Sequence, residues 1–453
     1  MGRAFVFVLT ALALAGSSPL AAAPAASPAP LAQADQAAIN LALAAAPARG
    51  LPAIAVNANG AADPWRAAAV GYAQAERGRI ADPQALDANF ALKSAADLGA
   101  EFDAARAAGQ VQAWLAAQTH DDPDLQALVQ ARAAYAAVVS AGGWPLVGAG
   151  KPPKRGAADA RLPALRQRLA LEGYAAAPSG PPDRFDSALE AQLAAFQSRH
   201  GLASDGVLNA ATLEALNTPA DERLSEIDAN IERARWLPAR LPPMRIEVDT
   251  GDPQATLYQN GQAVLTMRAI VGKPSTRTPT FASNVVAVKF NPPWIVPAGI
   301  AAREILPKER RHPGYLARND FYVAHGQVIQ RPGPKAALGY IKFEIPDSFD
   351  VYLHDTPART LFAKPVRWLS HGCMRIEKPR ELAAALLAPQ GWNPGAVDAA
   401  IAKGSTQSVP LKVQPPVFVV YRTVVPTPDG PLLFRKDVYG WDAKIAAALA
   451  SRP

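Results

Sequence analysis

The chain has 453 residues, 49% of them hydrophobic and 19% charged, with a formal net charge of +7. Single cores stop growing beyond roughly 250–300 residues, so roughly two to four domains are expected, and the apolar content excludes global disorder. Lysine and arginine are scattered rather than gathered into a stripe with interleaved aromatics, which argues against nucleic-acid binding and fits a diffuse attraction to an acidic partner outside the cytoplasm.

In chain order, Met1-Gly2-Arg3, the apolar run from Ala4 to Gly16 and the small residues Ala21-Ala22-Ala23 follow the pattern of a secretory signal, assigned to 1–23. The run is shorter than the ~20 residues of a spanning helix. Pro24 disfavours cleavage directly after Ala23, so membrane contact is expected only if the segment stays uncleaved. No cysteine near the start is available for a lipid anchor. Residues 24–34 read as a Pro/Ala tether. From 35 to 157 the sequence is alanine-rich, with Trp114, Leu115, Leu125, Leu128 and Val129 at irregular helical spacing, and predicts a helical scaffold without chemistry. A linker through Gly150-Lys151-Pro152-Pro153 leads into a compact unit at 158–218. There Leu162, Leu165 and Leu169 share a helix face, and Ser187-Ala188-Leu189-Glu190 is a capping-box pattern opening a helix with Leu189, Leu193 and Phe196. Asn209 caps a short helix ending at Leu216.

This unit resembles the peptidoglycan-binding domain type 1 family, a three-helix module. Leu165-Arg166-Gln167-Arg168-Leu169, Ala195-Phe196-Gln197, Asp205-Gly206-Val207 and Thr212-Leu213 carry the resemblance. A scaffold helix occupies 219–242, stopped by Pro238, Pro242 and Pro243. From 243 to 427 the pattern turns to strands. Asn260-Gly261 between two of them is a two-residue hairpin signal. Residues 297–340 interrupt the strands and are expected to form a lid or substrate cap. A C-terminal extension covers 428–453.

Cys373 is the only cysteine in the chain. An exported protein with one thiol forms no internal disulfide, and an idle thiol in an oxidising compartment is a liability, so its retention points to use. Thiolate-rich zinc sites and paired redox motifs are excluded. The thiol sits in Ser370-His371-Gly372-Cys373-Met374-Arg375, with His354 nineteen residues upstream in Val351-Tyr352-Leu353-His354-Asp355. A cysteine nucleophile needs a base, cationic surroundings and backbone donors for an oxyanion. Strand alternation puts Tyr352 and His354 on one face and Asp355 on the other. A backbone carbonyl, Asp355's being one candidate, is therefore the better partner to set the imidazole tautomer. Gly372 permits a tight turn in which neighbouring amides converge. Arg375, if the segment is extended, shares the cysteine's face and either lowers the thiol pKa or clamps a substrate carboxylate. His371 stands open as base, substrate contact or site wall.

His354, fifteen residues, then Ser370-His371-Gly372-Cys373 and Arg375 look like the signature of the YkuD-type L,D-transpeptidases, and the domain order is similar to their larger, YcbB-like branch. His371 departs from some large relatives, which carry a small residue there. The resemblance implies a multidomain α+β protein: a β-sandwich-like catalytic domain with an α-helical scaffold and a three-helix peptidoglycan-binding module. It implies that Cys373 attacks a peptidoglycan stem tetrapeptide at its third residue and expels the terminal D-alanine. An amine of a second stem then resolves the thioester into a 3→3 crosslink. His354 would be the base, the Gly372 and Cys373 amides would hold the oxyanion with Ser370 and His371 at the site, and Arg375 and Tyr352 would bind substrate. It further implies acylation by carbapenems, a bacterial envelope or periplasmic location, a part in cell-wall organisation and cell shape alongside cell-wall synthesis partners, and no metal or cofactor. The same residues serve an L,D-carboxypeptidase or a wall-protein attachment enzyme. A non-catalytic wall-binding protein rests on 158–218 alone, and a zinc peptidase lacks an HExxH among the six histidines.

Overall fold

The computed structural model describes residues 31–57, 61–78, 80–92, 97–174, 180–428 and 430–451. The signal segment and most of the Pro/Ala tether lie outside them. No described helix is long and apolar enough to cross a membrane.

Helices Gln33–Ala45, Pro64–Glu76, Leu98–Ala107 and Val111–Gln118 enclose a small core of Ile39, Ala69, Tyr72, Phe102, Val111 and Leu115. Aspartates set their starts: the Asp63 carboxylate accepts from Arg66 N–H ahead of Pro64, and Asp97 accepts from Gly99 and Ala100 N–H. The region is not wholly helical. Phe90–Ala91 forms a short strand, β1, that joins the catalytic sheet in parallel with Thr280–Phe281. Its Phe90 ring is fully buried against Trp236 and Trp441, so tertiary packing overrides the helical surroundings.

The three-helix module comprises Leu162–Leu171, Ser187–Arg199 and Ala210–Leu216 around Leu165, Leu169, Leu189, Leu193, Phe196 and Leu216. The second helix is capped by Asp186, whose carboxylate accepts from Leu189 N–H; Ser187 is its first helical residue, which shifts the expected capping box by one position. Buried Gln197 ties the Asp205-Gly206 turn to Thr212 by accepting from Gly206 N–H and donating to Asp205, Val207 O and Thr212 Oγ1. The module is docked rather than tethered. Arg168, fully buried, lies 3.6 Å over the Trp144 ring and 2.8 Å from Glu172. His200 stacks between Phe196 and Phe434, the latter from the C-terminal stretch.

Helix Ala220–Arg235 runs through the middle of the molecule. Ile227 and Ile231 pack on Leu125 and Leu128 of helix Pro123–Ser140. Its polar residues reach the catalytic half: Asn230 Oδ1 accepts from Thr423 and Val424 N–H, and Arg233 pairs with Asp442 at 2.5 Å. The described part of 428–453, expected as an extension, is thus built into the body, with Phe434, Tyr439, Trp441 and Ile445 buried.

The catalytic half contains β2 (Arg245–Asp249), β3 (Gln254–Gln259), β4 (Gln262–Gly272), β5 (Thr280–Asn284), β6 (Ala287–Phe290), β7 (Trp294–Ile295), β8 (Phe321–Ala324), β9 (Gln327–Gln330), β10 (Ile341–Glu344), β11 (Leu353–His354), β12 (Trp368–Ser370), β13 (Met374–Ile376), β14 (Gln407–Pro410) and β15 (Pro416–Val420). Asn260 and Gly261 both adopt positive φ in the β3–β4 hairpin, the geometry of a two-residue turn. Twelve strands form one sheet in the order β1-β5-β15-β2-β3-β4-β13-β11-β10-β6-β14, with β12 added beside β4. The sheet curls so that Ile246, Val248 and Leu257 from one half share a core with Val288, Phe290, Ile341 and Leu353 from the other. Helix Pro379–Leu387, opened by its proline, closes that core through Leu382 and Leu386.

The insertion is a small body of its own. β7, β8 and β9 form a separate three-stranded sheet. A helix that begins at Ala298 continues to Arg311, and its middle, Ala301–Ile305, is wound as a π-helix. Ala301, Ile305, Phe321, Val328 and Val296 form its core.

Candidate active site

The thiol turn is suspended between two sheet strands and one supporting loop. β13 runs parallel to β11, with Leu353 opposite Met374 and His354 opposite Arg375. Met374 N–H donates to Tyr352 O at 3.0 Å, which brings Tyr352 alongside Cys373. Below the turn, Thr278 Oγ1 donates to Gly372 O at 2.7 Å and accepts from Gly272 N–H at 2.8 Å. Ser370 O accepts from Lys273 N–H and Thr276 Oγ1. This approach requires glycine at 272, where a Cβ would stand 2.1 Å from Thr276 O. Gly372 has φ +126°, which L side chains rarely adopt.

Ser370 braces the turn. Its buried hydroxyl donates to Cys373 O at 2.6 Å and accepts from Gly372 N–H at 3.1 Å. The Gly372 N–H is therefore spent within the turn, which corrects the expectation that it faces an oxyanion. Among the described residues the Cys373 N–H has no acceptor and remains available.

His354 is 4% exposed, and its Nδ1 lies 2.6 Å from Asp355 O. A carbonyl only accepts, so Nδ1 carries the proton and Nε2 is the basic nitrogen. The Asp355 carboxylate turns away, accepting from Tyr340 N–H and pairing with Arg359 at 3.1 Å. Burial, then the neighbouring Arg375 charge, hold the imidazole down at about 3, so it is neutral at physiological pH.

The thiol titrates in the opposite sense. Burial pushes Cys373 up, against the Tyr352 backbone N–H and hydroxyl and the Lys342 ammonium, which favour the thiolate. Arg375 and the thiol do attract one another, but desolvation outweighs the nearby cations and the net shift is upward. Both shifts favour the uncharged forms, thiol and neutral imidazole.

Two cations rise from the sheet beside the sulfur. Arg375 makes no ion pair or hydrogen bond among the described residues, and its buried Nε lacks a partner. Lys342, opposite His354 on β10, lies 3.9 Å over the Tyr352 ring and has no carboxylate partner among them either. Sequence reading missed Lys342; its signal is the alternation of β10, where Ile341 and Phe343 are buried and Lys342 points to the other face. It also missed Thr278 and Asp350, whose carbonyl stands 3.8 Å from Cys373 Sγ. His371 is brought to the cap: its Nε2 is 2.6 Å from Glu304 Oε1 in the π-helical turn.

The fold combines helices with a curled sheet and sets the thiol at the head of β13, next to the strand that carries the carbonyl-oriented imidazole. Residues 243–413 match the family model YkuD, "L,D-transpeptidase catalytic domain", and residues 159–216 match that of a "Putative peptidoglycan binding domain". The chain therefore carries a YkuD-type L,D-transpeptidase domain preceded by a peptidoglycan-binding domain, the former from a family of peptidoglycan-crosslinking enzymes. A curated relative, "Putative L,D-transpeptidase" of Haemophilus influenzae, is 33% identical over 211 residues, covering 42% of this chain and 43% of that protein. The match thus spans less than half of that relative. Among solved structures, an L,D-transpeptidase from Xylanimonas cellulosilytica aligns at 15% identity and TM-score 0.20, over 60% of this chain and 98% of that one. One from Mycobacterium smegmatis aligns at 15% identity and TM-score 0.22, over 39% and 58%.

Proposed function

We propose that the protein is an L,D-transpeptidase of the bacterial cell envelope that forms 3→3 peptidoglycan crosslinks through a thioester on Cys373. The observation that carries this reading is the lone thiol at the head of β13, next to strand β11, which carries the neutral imidazole of His354 with its tautomer set by the Asp355 carbonyl. His354 Nε2 takes the thiol proton as sulfur attacks the carbonyl at the third residue of a stem tetrapeptide. The C–S bond forms, the peptide C–N bond breaks, and His354 returns the proton to the departing D-alanine amine. The Cys373 N–H faces the oxyanion. Arg375 and Lys342, lacking carboxylate partners among the described residues, receive stem carboxylates, with Tyr352 as the wall between them. The 159–216 module holds the polymer, and its docked position keeps the bound strand in one orientation relative to the thiol.

The deciding experiment incubates the purified full chain with disaccharide-tetrapeptide and weighs the products. A crosslinked dimer supports transpeptidation, tripeptide monomer alone replaces it with carboxypeptidation, and no product from wild type refutes the reading. Cys373→Ala is expected to give neither product.

A further inference from the structure

The charges around the thiol come from three places, one of them Asp347 in the loop between β10 and β11. The cations, Lys342 and Arg375, belong to the sheet. The cap contributes a carboxylate, Glu304, 42% exposed and held 2.6 Å from His371, itself 32% exposed and two residues before the nucleophile. The cap touches the site at a second point, where the Trp294 side chain at its base faces the Tyr352 hydroxyl. It therefore straddles the thiol, meeting the strand neighbour on one side and the turn on the other. The π-helical winding at Ala301–Ile305 buries Ala301 and Ile305 in the cap core while leaving Glu304 accessible. Such local π-winding recurs at functional positions in helices.

In a thioester-forming crosslinking enzyme the donor stem reacts at a carbonyl, whereas the acceptor stem reacts through an amine that is an ammonium at neutral pH. The cationic sheet suits the stem carboxylates and repels that ammonium. We propose that Glu304 selects the acceptor: its carboxylate, held against His371, receives the protonated amine of the second stem peptide and so favours aminolysis of the thioester over hydrolysis. This rests on the thioester reading given above. In balance, the ammonium sheds one proton to the Glu304–His371 pair and on to water. The neutral amine then forms a C–N bond as the C–S bond breaks, and the second amine proton passes to sulfur through His354. The products are one amide, one thiol and one released proton.

The rival acids are Asp347, whose charge acts on the thiol, and Asp350, whose backbone carbonyl adjoins the sulfur. The test compares the full-chain wild type with Glu304→Gln, Glu304→Asp, Asp347→Asn and Asp350→Asn. It reads the dimer-to-tripeptide ratio on disaccharide-tetrapeptide and, separately, the rate of adduct formation with a carbapenem, which needs no acceptor. Glutamine can keep a hydrogen bond to His371 but loses the charge, so a purely structural latch would survive it. In Glu304→Gln the dimer-to-tripeptide ratio is expected to fall about tenfold further than the adduct rate does, with partial recovery in Glu304→Asp. An unchanged ratio, a loss shared equally by both steps, or a fall confined to Asp347→Asn or Asp350→Asn overturns the proposal. A wild type that forms adduct, dimer and tripeptide in none of the assays instead removes the thioester reading itself.

Discussion

His354 and Asp355 are joined through backbone rather than side chain: Nδ1 meets the Asp355 carbonyl at 2.6 Å, while the Asp355 carboxylate faces Tyr340 N–H and Arg359. A chain neighbour that resembles the third member of a catalytic triad thus orients the imidazole without lending it charge. Buried, flanked by Arg375 and Lys342 and uncompensated by a carboxylate, the imidazole stays neutral.

This arrangement separates two substitutions that a triad would make equivalent. Asp355→Asn removes the Arg359 partner and weakens the Tyr340 contact, costing about 1–3 kcal/mol of stability, while turnover of folded enzyme should stay within about tenfold of wild type. His354→Asn should reduce crosslinking by about 10²–10⁴-fold. Steady-state rates with thermal unfolding of each variant check both; equal loss from the two would reinstate the carboxylate.

The direction of the thiol shift has its own signature. Because burial holds Cys373 above the ordinary thiol range, iodoacetamide alkylation should be slow at pH 6 and still rise beyond pH 9, gaining about tenfold per pH unit below the thiol pKa. A plateau already reached at pH 6 would mean a preformed thiolate–imidazolium pair. Mass spectrometry of the peptide containing Cys373 reads the rate.

The support under the turn is testable at Thr278. Thr278→Val leaves Gly372 O and Gly272 N–H without their partner, an expected cost of about 1–3 kcal/mol. Crosslinking should fall with it, whereas Thr278→Ser restores both. Gly372→Ala, forced to φ +126°, should be more damaging to activity than to global stability, since the strain falls on the turn itself. Unfolding midpoints against turnover separate the two effects.

The docked module should loosen in acid. Burial keeps His200 neutral, with its pKa below the ordinary value, so the unfolded chain binds the extra proton and stability falls as pH drops below about 6.5. For Glu172, burial pushes upward, but His200 and Arg168 outweigh it and hold the carboxylate at about 2. Its contribution is full above the unfolded carboxylate range and is lost as pH falls towards 2. Thermal unfolding between pH 7 and 5 should show a decline that His200→Phe removes, since phenylalanine keeps the stack between Phe196 and Phe434. An identical decline in that variant would place the titrating group elsewhere.

Much of the site was legible in the chain because its information is local. The lone Cys373, the turn glycine beside it, the alternation that sets Tyr352 and His354 against Asp355, the Asn260-Gly261 hairpin and the apolar faces of the three-helix module all depend on residues close in sequence. Those patterns act through backbone geometry and period, which neighbours determine.

What only the tertiary structure decided arises from residues far apart. The Gly372 amide closes on Ser370 because a loop at 273–278 pins the turn from below. Lys342 reaches the thiol from a strand 31 positions earlier in the chain, and Glu304 reaches His371 across 67 residues. Protonation of thiol and imidazole follows from burial, a property of the packed whole that no short motif carries. Sequence alone therefore located the thiol, the imidazole and the turn between their strands, through features that are stereochemical and local. Folding decided how deeply the pair is buried and which charges surround it, because desolvation and long-range electrostatics exist only once the sheet and cap have closed around the thiol.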